Sequence, residues 1–213
     1  GIDYETIKAI NPRIVYASIS GFGQNGPLSE RPGFDQIAQG MGGLMSITGV
    51  PGEGPMRVGI PIADLTAGGF AAQGVLLALL GREKTGKGQW VQTSLLQAQI
   101  AMLDFQAARW LMDGEVPKQA GNDHPTSIPT GVFQTSDGYI NIAVAGQHIW
   151  LRLKEALVDP RLDADIYDEG TSRSTHRKPL NALINENTVQ DTTDNWISLS
   201  LIHISEPTRL GFI

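Results

Sequence analysis

Between Asp64 and Arg82 the chain runs seventeen residues without a charge, most of them Ala, Gly and Leu. Ala67, Ala71, Ala72, Val75, Ala78 and Leu79 recur at three- and four-residue intervals, which predicts a helix over Leu65 to Leu80. Its small side chains let another backbone approach closely. Gly68, Gly69 and Gly74 weaken it as a helix, so a packing or ligand reason for them is expected. Arg82, Glu83, Lys84, Thr85 and Gly86 supply the expected stop, cations in the last turn and then a glycine. Leading into this helix is IPIADLTAGG, Ile60 to Gly69, with Asp64 as its carboxylate. Asp is a favoured N-cap, because its side chain accepts from the free N–H groups of a first turn. An apolar, glycine-rich setting also suits a carboxylate nucleophile. The residues alone leave both readings open.

Composition narrows the class. A chain of 213 residues makes one large domain or one and a half, and 41% hydrophobic residues suffice for a core. A formal charge of −6 argues against a nucleic-acid partner, while leaving room for a local basic pocket for a phosphorylated cofactor. No cysteine is present, which rules out disulfides and thiolate metal sites and fits a reducing compartment. The four histidines lack metal-ligand spacing, so no metal is expected. No apolar run reaches the roughly 18 residues of a membrane span, and the start lacks signal-peptide character. The expectation is a soluble, cytoplasmic protein with no membrane or nucleic-acid partner. The first residue is not Met, consistent with a fragment.

Taken in order, Tyr4, Ile7 and Ile10 suggest a helix stopped by Asn11-Pro12, and Ile14 to Ser20 reads as a buried parallel strand. Gly21-Phe22-Gly23-Gln24-Asn25-Gly26 then satisfies G-x-G-x-x-G. A dinucleotide site would need a helix to open there, whereas PLSERPG is loop chemistry. The glycines are instead expected to let a loop approach a ligand or a neighbour. Phe34 to Met41 suggests a short helix, and Gly42 to Gly54 a glycine-rich turn region. Gly81 to Lys87 matches a phosphate-loop pattern, but Gly88 stands where a hydroxyl is needed and a helix precedes it. Trp90 to Leu95 reads as a strand and Leu96 to Met112 as one helix, with Ile100, Leu103, Ala107, Trp110 and Leu111 as core positions. Beyond a polar stretch with three prolines, Thr130 to Thr135 and Tyr139 to Ala143 form a hairpin around Asp137-Gly138. Ile149 to Leu157 is an amphipathic helix, and Leu180, Leu183 and Ile184 indicate another.

Laid out this way, the chain resembles the class III CoA-transferases, the family of formyl-CoA transferase and carnitine CoA-transferase. The resemblance runs from about Gly1 to Trp196 and rests on ISGFGQNGP, RPGFDQIAQGMGG, ADLTAGG, REKTGKGQWV and GVFQTSDGYINIA, in that order. It implies an α/β fold, with residues 1–113 as part of a Rossmann-like large domain carrying the nucleophile. Residues 114–129 would be a linker and 130–198 part of a small α/β domain. The intact family forms an interlocked homodimer about twice this length per chain. The family's nucleophilic Asp maps onto Asp64, which implies CoA transfer between carboxylic acids through an aspartyl-CoA thioester. Backbone N–H groups at the helix start would stabilise the developing oxyanions. Gly21, Phe22, Gly23, Phe34, Asp35 and Gln36 would line the substrate and CoA site, with Asp35 equally a structural hydrogen-bond acceptor. Coenzyme A and acyl-CoA enter as substrates, with no permanently bound cofactor.

Two alternatives stand beside this reading. A 2-methylacyl-CoA racemase or epimerase resembles the same segments but carries Gly-His-Asp, where this chain has Gly33-Phe34-Asp35. Phe34 cannot exchange a proton. A non-catalytic acyl-CoA-binding protein, or an inactive truncated fragment, would use Asp64 only as a cap. No glycine run lies near Gly121 to Gly131 to shield the intermediate, as some transferases have. Finally, LSLIHISEPTR, Leu199 to Arg209, resembles the translation of a transposase sequencing adaptor, so residues 199–213 are expected to be an artefact outside the fold.

Overall fold

The computed structural model describes residues 1–203 and 208–209, with side chains through residue 199. The described chain divides into two compact units, Gly1–Gly121 and a second beginning at Asn122.

The first unit opens with helix α1 (Tyr4–Ile10), whose N-cap Asp3 accepts from the Thr6 N–H at 3.0 Å. Strand β1 (Tyr16–Ser20) follows, then α2 (Asp35–Met41), the short α3 (Leu44–Ile47) and the 24-residue α4 (Ile62–Thr85). Strand β2 (Trp90–Ser94) returns parallel to β1, in register from Tyr16 opposite Trp90 to Ser20 opposite Ser94. A long helical crossover is what a parallel pair requires. Tyr4 stacks on Trp90 with ring centroids 5.5 Å apart, fastening α1 to the sheet. Strand β1 is parallel as predicted but alternates between half-buried and exposed residues. Helix α4 covers one of its faces, and among the described residues β2 is its one paired neighbour.

Helix α4 packs on β1, β2, α2 and α5 (Leu95–Ala101) through a narrow stripe, Ala63, Ala67, Ala71 and Ala78. Gly74 is part of this contact, since a Cβ there would sit 2.6 Å from Val91 Cγ1. No side chain lies within 4 Å of where a Cβ would stand at Gly68 or Gly69, so packing does not explain those two. Gly86 terminates the helix as predicted, at φ +71° with its N–H on the Arg82 carbonyl. The expectation that no run could span a membrane is corrected: α4 is long and apolar enough by length and composition, its best 18-residue window having a mean hydropathy of 1.5. Leucine, valine, phenylalanine and alanine raise the mean, and the scattered glycines and the polar Thr66 and Gln73 keep the run from reading as strongly apolar. Its packing on four elements places it in the α/β layer.

The single helix expected over Leu96 to Met112 is two, α5 and α6 (Phe105–Asp113), broken at Met102 to Asp104 where Asp104 takes φ +46°. The break turns the expected core outward. Trp110 and Leu111 are 54% and 80% exposed, and with Ile47, Ile100, Leu103 and Val116 they line an open apolar groove of about 400 Å³.

In the second unit, β3 (Thr130–Gln134) and β4 (Tyr139–Ala143) form the predicted hairpin, Thr130 opposite Ala143. Helices α7 (Gln147–Leu157), α8 (Gly170–Thr175), α9 (Arg177–Thr188) and α10 (Thr193–His203) follow, with two 3₁₀ turns at Pro160–Asp163 and Asp165–Tyr167. Phe133, Ile140, Trp150, Leu153, Leu180 and Ile184 form the core. Arg173 is buried beneath it, with its guanidinium 5.1 Å from the Trp150 ring centre and hydrogen bonds to the carbonyls of Ile128, Tyr167 and Asp168. A short β5 (Thr208–Arg209) pairs antiparallel with Ile140 and Asn141 of β4. The expectation that the tail lies outside the fold is corrected in part: residues 199–203 continue α10 and 208–209 form β5, while residues 204–207 and 210–213 lie outside the described residues.

Candidate active site

The carboxyl ends of parallel strands are where open α/β sheets place their ligand sites. Here β1 ends at Ser20, and the Gly21 carbonyl accepts from the Leu96 N–H at 3.1 Å, tying the strand end to the start of α5. The loop then turns at Gly23, φ +99°, whose N–H donates to Ser20 Oγ at 3.0 Å. It comes back so closely that a Cβ on Gly21 would stand 2.4 Å from the Gly33 Cα. The neighbour of the glycine loop is therefore its own returning segment at Gly33. The side chain of Phe22 lies against the same contact.

Gly33 delivers Phe34, 69% exposed, and then Asp35 at the start of α2. Both Asp35 carboxylate oxygens are engaged. Oδ1 accepts from the Ala63 N–H at 2.8 Å, and Oδ2 accepts from Gln39 Nε2 at 2.7 Å. Gln39 is fully buried one helical turn further on. Its Oε1 accepts from the Val58 N–H at 2.9 Å, and its Nε2 also reaches the Ile60 carbonyl at 3.4 Å. One buried amide thus holds both the capping carboxylate and the segment that leads into α4.

This overturns the capping reading of Asp64. Helix α4 begins two residues earlier, at Ile62, and the cap position is Pro61, which has no side-chain acceptor. Asp35, 28 positions back in sequence, supplies the missing acceptor. Asp64 falls on the third helical position, exposed, and its carboxylate makes no hydrogen bond among the described residues. The first-turn donors are also mostly spoken for. Ile62 N–H reaches the Ile60 carbonyl at 2.8 Å, Ala63 N–H reaches Asp35, and Leu65 N–H reaches the Pro61 carbonyl at 3.0 Å. Of the first-turn N–H groups, only that of Asp64 makes no hydrogen bond among the described residues. A carboxylate in this first turn is still favoured by the helix dipole.

Of the residues singled out from sequence, the fold brings Gly21 and Phe22 against Gly33, and Asp35 against Ala63 beside Asp64. Ala63, Ala38, Leu95 and Ala98 share one small buried cluster, which fixes α4, α2 and α5 at this edge. Gln36 is exposed and makes no hydrogen bond among the described residues. Sequence reasoning missed Gln39. Its signal was the spacing Asp35-x-x-x-Gln39, which puts the two side chains together on one helix face. Among the described residues no group of His, Asp or Glu is arranged to hold a metal ion.

Residues 1–201 match the family model described as CoA-transferase family III. The chain is 36% identical over 191 residues to succinate–glutarate CoA-transferase of Agrobacterium fabrum, covering 89% of this chain and 48% of that protein. It is 36% identical over 205 residues to acetyl-CoA:oxalate CoA-transferase of Acetobacter aceti, covering 95% and 52%. The crystal structure of a CAIB/BAIF family protein from Brucella suis superposes with a TM-score of 0.85 at 35% identity, over 99% of this chain and 56% of that one. The chain spans about half the length of the curated relatives it matches. With a match from the first residue to residue 201, and with the likeness in sequence and in fold agreeing, the chain belongs to CoA-transferase family III.

Proposed function

We propose that the whole protein moves coenzyme A between carboxylic acids, with Asp64 as nucleophile. The observation that carries this is an exposed, unpaired carboxylate on the first turn of α4, beside the Asp35 cap, in a chain of this family. The Asp64 carboxylate attacks the thioester carbonyl of a donor acyl-CoA, giving a mixed anhydride and CoA thiolate. The thiolate attacks the aspartyl carbonyl, releasing the donor acid and leaving an aspartyl-CoA thioester. An acceptor carboxylate then runs the two steps in reverse and departs as the new acyl-CoA. The Asp64 N–H is the donor nearest to hand for the oxyanions. Gly21, Phe22, Gly23, Phe34 and Gln36 are proposed to contact the acyl-CoA, and the whole protein to work as an interlocked homodimer.

Phe34 weighs against racemisation, which needs a base at that position. The names of relatives provide donors and acceptors to try, succinyl-CoA with glutarate and acetyl-CoA with oxalate. Incubation of the full-length protein with these pairs, followed by hydroxylamine and peptide mass mapping, should convert Asp64 to its hydroxamate. Asp64→Asn should abolish both the adduct and turnover. Turnover with no adduct at Asp64 would sink the reading, and loss of α-deuterium from a 2-methylacyl-CoA would move it to racemisation.

A further inference from the structure

We propose that Gln39, through Asp35, is a positioning residue for the Asp64 nucleophile, and that neither Gln39 nor Asp35 binds substrate. The proposal rests on the Asp64 reading above. Three observations carry it. Asp35 commits both carboxylate oxygens to the fold, one to the Ala63 N–H and the other to the Gln39 amide. Gln39 is fully buried and spends both ends of its amide on this contact and on the segment Val58 to Ile60. Pro61 gives α4 no acceptor of its own, so the residue immediately before Asp64 is fixed by a side chain from another helix.

The chemistry at Gln39 is specific. The site needs a donor toward Asp35 and an acceptor toward the Val58 N–H, at opposite ends of one short group. An amide meets both needs at every pH. A carboxyl at position 39 meets them only when protonated, because its ionised form would confront Asp35 with a second negative charge. Of the elements packed on α2, α3 and α5 carry no titratable side chain. Helix α4 carries Asp64 at this end and Arg82, Glu83 and Lys84 at the other, and the held segment is preceded by Arg57. A misplaced first turn would reduce the rate at Asp64 and leave remote contacts to CoA intact, because a displacement on the order of 1 Å can cost about a hundredfold in rate.

The test uses the full-length protein and the rate at which Asp64 acquires CoA from succinyl-CoA or acetyl-CoA in a single turnover. Gln39→Leu should lower the saturating rate by about a hundredfold at all pH values, with the half-saturating acyl-CoA concentration within about threefold of the parent. Gln39→Glu should be as slow near pH 8 and should recover toward the parent as pH falls, reversibly in one sample. Reversal in a single sample separates positioning from misfolding. A Gln39→Glu profile parallel to the parent, or a change confined to half-saturation, overturns the proposal while the parent's adduct at Asp64 stands. If the parent itself turns over with no adduct at Asp64, the nucleophile reading fails instead.

Discussion

At the scale of single residues, carboxylates here act far from where their neighbours in sequence suggest. Asp64 stands at a helix start and does not cap it, whereas Asp35 caps a helix it does not belong to. Asp137 repeats the arrangement: read from sequence as a turn residue, it also accepts from the Thr193 N–H at 2.7 Å at the start of α10. The residue types were legible and the partners were not, because a local reading cannot see acceptors delivered from dozens of positions away. Asp159 shows what such a contact is worth. It accepts from the Arg161 side chain and backbone and from Asn187 Nδ2, and these bonds, Arg161 first, hold its carboxyl well below the usual carboxylate range. A depressed folded-state pKa gives stabilisation that is complete above the unfolded value of about 3.9 and is lost as pH falls below it. Asp159→Asn should therefore cost about 1–2 kcal/mol at pH 7 and progressively less toward pH 3. Urea midpoints at the two pH values check this, and an equal loss at both would contradict it.

At the scale of elements, α4 was the easiest to find and its beginning the hardest to place. A run of small apolar residues at helical spacing signals a helix wherever it occurs, but a start at Ile62 depends on a cap from α2. The break between α5 and α6 left no mark either, since neither glycine nor proline stands at Met102 to Asp104 and the apolar spacing continues through it. The hairpin and α9 were readable because their turn residues and apolar faces agree with their burial. Two glycines in α4 now invite a test. Gly74 is held by Val91, whereas Gly68 and Gly69 meet nothing. Gly68→Ala should stabilise the helix by up to about 1 kcal/mol, seen as a raised melting temperature. A fall in acyl-CoA turnover in that stabilised variant would assign the glycine to substrate access, and a fall in stability would contradict the open surroundings.

At the scale of the whole molecule, the first unit carries an apolar surface that its own packing leaves open. Leu65, Leu76, Leu77 and Leu80 of α4 are each more than half exposed, and exposed large apolar side chains drive association. This chain by itself should self-associate at tens of micromolar and bind a hydrophobic dye. The triple variant Leu76→Gln, Leu77→Gln, Leu80→Gln should remove most of both, as measured by light scattering and dye fluorescence. A monodisperse parent chain would refute the expectation. The back-to-back contact of Gly21 and Gly33 has a different kind of consequence. Where two backbones meet with no side chain between them, neither position can make room for a change at the other. In a saturation library, both should tolerate glycine alone, and no pair of substitutions should rescue a single one. Sequence divergence among working copies of this protein would have to flow around those two positions, leaving them fixed while the loop between them drifts in composition and length.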